Sequence, residues 1–153
     1  MIRGFTCGAF DLLHPGHLHL FEAAKQQCEY LIVGLHTNPS LERPGIKNRP
    51  IQTMFERWAQ LSAVKYVDEI IPYDTEADLC NLFATLDIQI RFLGSDYLLA
   101  HSLLPQDVTG PEVCAQRGIT IIHIPRLHTF SSTAIRSRMQ KLCETLSSST
   151  TTV

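Results

Sequence analysis

No stretch of this chain approaches the run of about 18 apolar residues that a membrane-crossing helix needs, so no span is expected. A basic stripe is missing too. The 13 lysines and arginines are scattered against 15 aspartates and glutamates, and the formal net charge of -2 speaks against nucleic acid or an anionic membrane as partner. Cysteine is sparse and poorly placed for pairing. Cys7, Cys28, Cys80, Cys114 and Cys143 are odd in number, far apart and include no C-x-x-C pair, the pattern of reduced thiols in a cytoplasmic protein. The N-terminus lacks a basic segment followed by a long apolar run, so no signal peptide is expected. Neither an internal repeat nor coiled-coil heptads appear, and 153 residues suit one sizeable core better than two.

What is present is a regular alternation. Apolar strand-like runs occur at Ile2 to Cys7, Tyr30 to His36, Glu69 to Pro72, Gln89 to Gly94 and Gly118 to Ile124. Helical patterns lie between and after them, at Gly16 to Gln27, Gln52 to Ala63, Glu76 to Leu86, Pro111 to Arg117 and Ser132 to Leu146. Runs such as Tyr-Leu-Ile-Val-Gly-Leu are apolar on both faces, as in a parallel strand covered by helices on each side. The expected fold is therefore a single-domain α/β structure, a doubly wound five-stranded parallel sheet with ligands at the carboxyl ends of its strands. The domain is expected over residues 1–146, with 147–153 as a flexible Ser/Thr tail. Two longer loops, Asn38 to Pro50 and Ser95 to Gly110, should emerge on the ligand side.

The densest functional signal is Gly8-Ala9-Phe10-Asp11-Leu12-Leu13-His14-Pro15-Gly16-His17, between the first strand and the first helix. A helix start offers unpaired N–H donors and the positive end of the macrodipole, which favours an anion. Gly8 is expected to permit the tight turn and Gly16 to let a phosphate approach the backbone. The three-residue spacing of His14 and His17 puts both imidazoles on one side of the first helical turn. A lone His-x-x-His would be read as helix-start histidines satisfied by carbonyls. The preceding strand, Phe10-Asp11 and the glycines tip the balance to phosphate binding. Half a zinc site is less favoured because matching ligands are missing, and His19 is expected on another helical face.

Gly-x-Phe-Asp-x-x-His-x-Gly-His resembles the motif of the cytidylyltransferase-like nucleotidyltransferases, and further matches follow in order along nearly the whole chain. Leu31 to Asn38 and Lys65 to Pro72 resemble segments of the glycerol-3-phosphate and phosphoethanolamine cytidylyltransferases. Leu93-Gly94-Ser95-Asp96-Tyr97 is similar to their Gly-Asp-Asp-Trp turn, and Phe130 to Arg136 to their closing Ile-Ser-Thr-Thr-x-Ile motif. The resemblance implies a Rossmann-like domain of the HxGH type. It also implies His14, His17, Lys47 and Arg126 as catalytic groups, and Cys7, Gly8, Ala9, Phe10, Gly16, Asp96, Ser131, Ser132 and Thr133 as nucleotide-binding residues. Mg²⁺ with the triphosphate, no protein-held metal and a homodimer are implied in the same way. By themselves Ser131 to Thr133 read as a helix N-cap, and Lys47 and Arg49 as solvated loop charges. Arg57 is as readily a helix-surface partner of Glu56 or solvent as a site residue, and Asp68 and Glu69 read as structural.

The implied reaction joins a nucleoside monophosphate from CTP to a phosphorylated small alcohol such as glycerol 3-phosphate, with release of pyrophosphate. A phosphate nucleophile with its second pKa near about 6 needs no strong base, which suits a site without an evident nucleophile or carboxylate pair. One departure leaves the base open. Leu127-His128-Thr129 stands where the cytidylyltransferases usually have Thr-Glu-Gly. The alternatives are an adenylyltransferase using ATP with a sugar phosphate or FMN, and a non-catalytic nucleotide sensor.

Overall fold

The computed structural model describes residues 1–94 and 108–149. Asp96 and most of the Ser95 to Gly110 loop lie outside the described residues. The first half of the chain runs β1 (Arg3–Gly8), α1 (Pro15–Lys25), β2 (Tyr30–His36), α2 (Pro39–Glu42), α3 (Met54–Ser62) and β3 (Glu69–Tyr73). The second half gives α4 (Glu76–Thr85), β4 (Ile90–Gly94), α5 (Pro111–Gln116), β5 (Thr120–Ile124) and α6 (Ser132–Ser149).

All five strands are parallel, in the spatial order β3-β2-β1-β4-β5. The chain therefore winds outward from β1 through β2 to β3, then returns to lay β4 on the other flank of β1. That reversal opens a crevice at the carboxyl ends of β1 and β4, where doubly wound sheets bind ligands. The expected fold class is the one observed.

Strand alternation sorts the core into two layers. Leu31, Val33 and Leu35 of β2 face Phe21 and Ala24 of α1 and Leu61 of α3 on one side. Phe5 and Ile32 face Leu79 and Phe83 of α4 and Cys114 of α5 on the other. Both helix layers are fixed at their starts by side chains. Thr53 with Glu56 and Thr75 with Asp78 form reciprocal capping boxes at α3 and α4.

Most element limits fall within two residues of the sequence expectation, and two departures go further. The Asn38 to Pro50 loop contains the short α2, because Asn38 caps Ser40 N–H while Pro39 occupies the first helical position, where a missing N–H costs nothing. The last helix continues to Ser149 rather than ending at Leu146, so 147–149 belong to it. Ser147, Ser148 and Ser149 donate to carbonyls of the preceding turn, at 2.8–2.9 Å. No helix among the described residues is long and apolar enough to cross a membrane.

Candidate active site

The turn after β1 is held by a carboxylate. Asp11 is buried, and its two oxygens accept from Ile51 N–H at 2.8 Å and Gln52 N–H at 2.9 Å. Arg136 of α6 completes the set with an ion pair at 2.5 Å. Gln52 returns the contact by accepting from Leu12 N–H at 2.7 Å, and Ser132 donates its hydroxyl to Asp11 carbonyl at 3.0 Å. One residue thus ties the turn to the segment before α3 and to the start of α6. Phe10 (φ 46°) and Leu12 (φ 53°), on either side of it, are left-handed. Such a conformation costs a bulky residue about 1–2 kcal/mol. The turn therefore rests on these two strained residues and not on Gly8, which ends β1 with its missing Cβ about 3.4 Å from the Phe10 ring.

The histidines follow from that turn. His14 is the N-cap of α1 in an extended conformation, and its ring folds back so that Nδ1 accepts from Gly16 N–H at 3.1 Å. This assigns the proton of neutral His14 to Nε2, which makes that atom a donor. His17 stacks on it with ring centroids 3.7 Å apart, and Phe10 braces His17 edge-on at 5.3 Å. The donor expected to be free at Gly16 is thus spent on His14. The space above Gly16 is also filled, because a Cβ there would lie 2.5 Å from His128 Cε1 and 2.8 Å from His14 Cε1. Gly16 is required by the approach of two imidazoles.

His14, His17 and His128 line one cavity of about 650 Å³ together with Arg126, and His19 joins its rim through an edge contact to His128 at 5.8 Å. His19 thus reaches the cavity through His128, although its place two residues from His17 sets it on another face of α1. Packing bases against bases holds them neutral. Burial first, and then the charges of Arg126 and His128, lower the His14 pKa. Burial first, then His14, Arg126 and His128, press His17 down to about 3. His17 Nδ1 is buried and has no hydrogen-bond partner among the described residues.

The other sequence candidates take varied places. Ala9, Phe10, Gly8, Lys47, Arg126, Ser131, Ser132 and Thr133 line the same cavity. Ser131 Oγ caps α6 by accepting from Ala134 N–H at 3.0 Å, and Arg126 donates to Phe130 carbonyl at 2.6 Å. Cys7 touches the cavity from β1, but its thiol packs with the second core layer, where burial raises its pKa. Arg49 contributes its carbonyl to Arg136 at 3.3 Å. Asp68 accepts from Lys25 and from Leu31 N–H, a structural role.

Arg57 is buried, not a surface residue. Its guanidinium donates to the carbonyls of Ala9 at 2.9 Å, His36 at 2.7 Å and Thr37 at 2.6 Å, bracing the carboxyl ends of β1 and β2 from below. Burial lowers its pKa and the nearby Asp11 charge opposes that. The one local clue was the Thr-x-x-Glu capping box, which takes Glu56 away from Arg57. Sequence spacing gave no role to Asp11, Arg136 or His128 beyond their motifs, since each acts across more than 100 residues or over a loop.

A family profile described as cytidylyltransferase-like matches residues 5–138. The bifunctional protein HldE of Hyphomonas neptunium is 35% identical over 137 residues, which is 90% of this chain and 27% of that protein. HldE of Nitrobacter winogradskyi is 36% identical over 135 residues, 88% of this chain and 26% of that protein. The chain thus spans about a quarter of the length of these curated relatives. Among solved structures, the lipopolysaccharide core biosynthesis protein from Thermoplasma volcanium superposes with a TM-score of 0.63 at 26% identity, covering 85% of this chain and 99% of that one. Pantothenate synthetase from Thermus thermophilus, with a TM-score of 0.61 at 17% identity over 88% of this chain and 61% of that one, shares the fold.

Proposed function

Because this chain belongs to the cytidylyltransferase-like family, we propose that it moves an adenylyl group from ATP onto a phosphorylated sugar and releases pyrophosphate. The observation that carries the reading is the stacked His14 and His17 pair at the start of α1, sharing one cavity with Lys47 and Arg126. Two points support ATP over CTP. Leu127-His128-Thr129 stands in place of the cytidylyltransferases' Thr-Glu-Gly, and the relatives described above are HldE proteins rather than glycerol-phosphate cytidylyltransferases. A sugar acceptor is supported by likeness to the Thermoplasma chain named for lipopolysaccharide core biosynthesis.

In this reading an oxygen of the acceptor phosphate attacks the α-phosphorus, a P–O bond forms, and the bond to the bridging α–β oxygen breaks as pyrophosphate leaves. The acceptor is already largely dianionic above a second pKa of about 6, so the chain supplies no base. It supplies position and positive potential. His14 offers an Nε2–H donor, Arg126 a fixed guanidinium, and Lys47 an ammonium from the loop after α2. A polyanion in the cavity opposes the burial, and after it the neighbouring positive charges, that keep His17 neutral, so its protonation becomes favourable as charge gathers on the leaving group. Mg²⁺ would enter with the triphosphate and would supply neutralisation of the charge that develops on it. Among the described residues no three His, Cys, Asp or Glu side chains group to hold a metal, and Asp11 is engaged by Ile51, Gln52 and Arg136, so phosphate oxygens suit the ion better than the chain does.

The same proposal includes a homodimer, for which α6 leaves Met139, Leu142 and Leu146 exposed; light scattering that gave a monomer would remove it. The test of the activity is pyrophosphate release with ATP and with CTP over a panel of sugar and polyol phosphates. Release with ATP and a sugar phosphate is expected, and His17→Ala should lower turnover on the order of 10²–10³ with little change in nucleotide affinity. Unchanged turnover in the folded variant would overturn the role given to His17. CTP-only release with glycerol 3-phosphate would restore the cytidylyl reading, which the Leu31 to Asn38 and Lys65 to Pro72 likenesses favour, and no release with any pair would mark a nucleotide sensor.

A further inference from the structure

The first turn of α1 has no backbone donor left for a ligand. Pro15 carries no N–H, Gly16 N–H is bonded to His14 Nδ1 at 3.1 Å, and the N–H groups of His17 and Leu18 both go to the His14 carbonyl, at 2.9 and 3.3 Å. The positive end of the helix dipole still favours an anion there. Its hydrogen bonds, however, must come from side chains. His14, with its Nε2–H, and the stacked ring of His17 are two such groups.

A third ring converges on the same glycine. His128 lies between β5 and α6, where Arg126 donates to the Phe130 carbonyl at 2.6 Å and closes a turn with His128 at its middle. Its neighbours Leu127 and Thr129 are exposed, whereas His128 is half-buried and lines the cavity with His14 and His17. The ring is held through its carbon atoms and faces. Cε1 packs so closely over Gly16 that a Cβ there would come within 2.5 Å, and the ring meets His19 edge-on at 5.8 Å and Phe130 at 5.7 Å between centroids. None of these three contacts uses a ring nitrogen. Nδ1 is buried, so a ligand in the cavity reaches the imidazole at Nε2.

Electrostatics place His128 beside the other two rings as well. After burial, its charge is among those that lower the pKa of both His14 and His17, together with that of Arg126. A ring whose charge is felt by both histidines stands where an anion held by them feels it too. We propose that His128 is a third phosphate-binding imidazole of this site, donating through Nε2 to the outer phosphate oxygens that leave as pyrophosphate. Which phosphate it holds rests on the nucleotidyl-transfer reading; that it binds one does not. Three imidazoles around one glycine then stand in for the backbone N–H cradle that a helix start would otherwise provide.

The experiment titrates pyrophosphate by calorimetry into the wild-type chain and into His128→Phe. Phenylalanine keeps a ring over Gly16 and against His19 and Phe130 while removing the nitrogens, so the midpoint of thermal unfolding should move by about 2 °C or less. Pyrophosphate affinity should fall about tenfold, the loss of one hydrogen bond to a charged group. His128→Gln, whose amide can set an N–H near the place of Nε2, should recover most of that affinity. Should His128→Phe fail to fold, Gln against the similarly shaped Met at the same position gives the same contrast. Equal affinity in wild type and His128→Phe overturns the contact, as does a loss that Gln does not restore, which would mark the ring as packing alone. Absence of pyrophosphate binding by the wild-type chain overturns it too. A chain that binds pyrophosphate through His128 yet releases none from any triphosphate refutes the activity and spares the contact, whereas turnover with affinity indifferent to His128→Phe refutes the contact and spares the activity.

Discussion

Replacing Asp11 with alanine should unlatch the histidine turn, at a cost that follows from where its partners lie. The carboxylate is 5% exposed and accepts from two backbone N–H groups and one guanidinium, whereas the Arg136 side chain is 25% exposed. Losing Asp11 leaves Ile51 and Gln52 N–H short of an acceptor, and breaking a buried charged contact from one side costs about 3–5 kcal/mol. Two effects reduce that. Arg136 can recover water at its exposed edge, and the left-handed Phe10 and Leu12 can relax part of about 1–2 kcal/mol each. The expected loss is therefore about 3 kcal/mol, or a Tm lower by roughly 6–12 °C at 2–4 °C per kcal/mol for a chain of this size. Arg136→Ala should cost about 1 kcal/mol, since Asp11 keeps its two N–H donors. Urea denaturation of both variants measures the contrast, and turnover should fall further in Asp11→Ala because His14 and His17 lose their platform. A loss below about 1 kcal/mol in Asp11→Ala, or one no larger than in Arg136→Ala, would refute the latch.

Three other outcomes follow from the same geometry. His17 has a folded pKa of about 3 against 6.5 unfolded, so the neutral form stabilises the fold fully above pH 6.5 and the benefit is lost as pH falls toward 3. By pH 5 the loss is about 2 kcal/mol, and the stability-pH slope between 6.5 and 5 should flatten in His17→Gln; an unaltered slope would show that His17 titrates normally. Gly16→Ala gains up to about 1 kcal/mol of helix propensity yet drives a Cβ within 2.5 Å of His128 and 2.8 Å of His14, so stability should drop and the His14 ring resonances should move. A stabilised variant with those resonances in place would contradict the packing. Arg57→Lys cannot reach the carbonyls of Ala9, His36 and Thr37 together, and should lose about 2–3 kcal/mol in chemical denaturation, nearly as much as Arg57→Met. Lysine that restores wild-type stability would show that charge alone matters there.

Much of the architecture was legible because it depends on local period. β2 occupies the expected Tyr30–His36, and the alternation of apolar runs with helical patterns suffices for an all-parallel sheet with helices on both faces. The histidine turn was legible as a place, since a strand, a turn and a helix start are consecutive in sequence. Its internal geometry was not. Gly8 carries no left-handed φ because Asp11 holds Phe10 and Leu12 there instead, through partners 40 and 125 residues away. Arg57 stays open between surface and site in the sequence, because helix spacing reports a face, not how far a guanidinium reaches toward the strand ends.

The amino-acid sequence by itself determined the order of elements, the two-layer core and the motif at the start of α1, each a consequence of backbone stereochemistry and side-chain period. Tertiary structure alone decided that His128 closes over Gly16 and that Asp11 joins three segments. The physical reason is that these depend on where long polar side chains end after the chain has crossed β1 to reach β4. Hydrophobic periodicity fixes which side of a strand is buried, but the position of a charge is set by the distant carbonyls, rings and carboxylates that surround its tip.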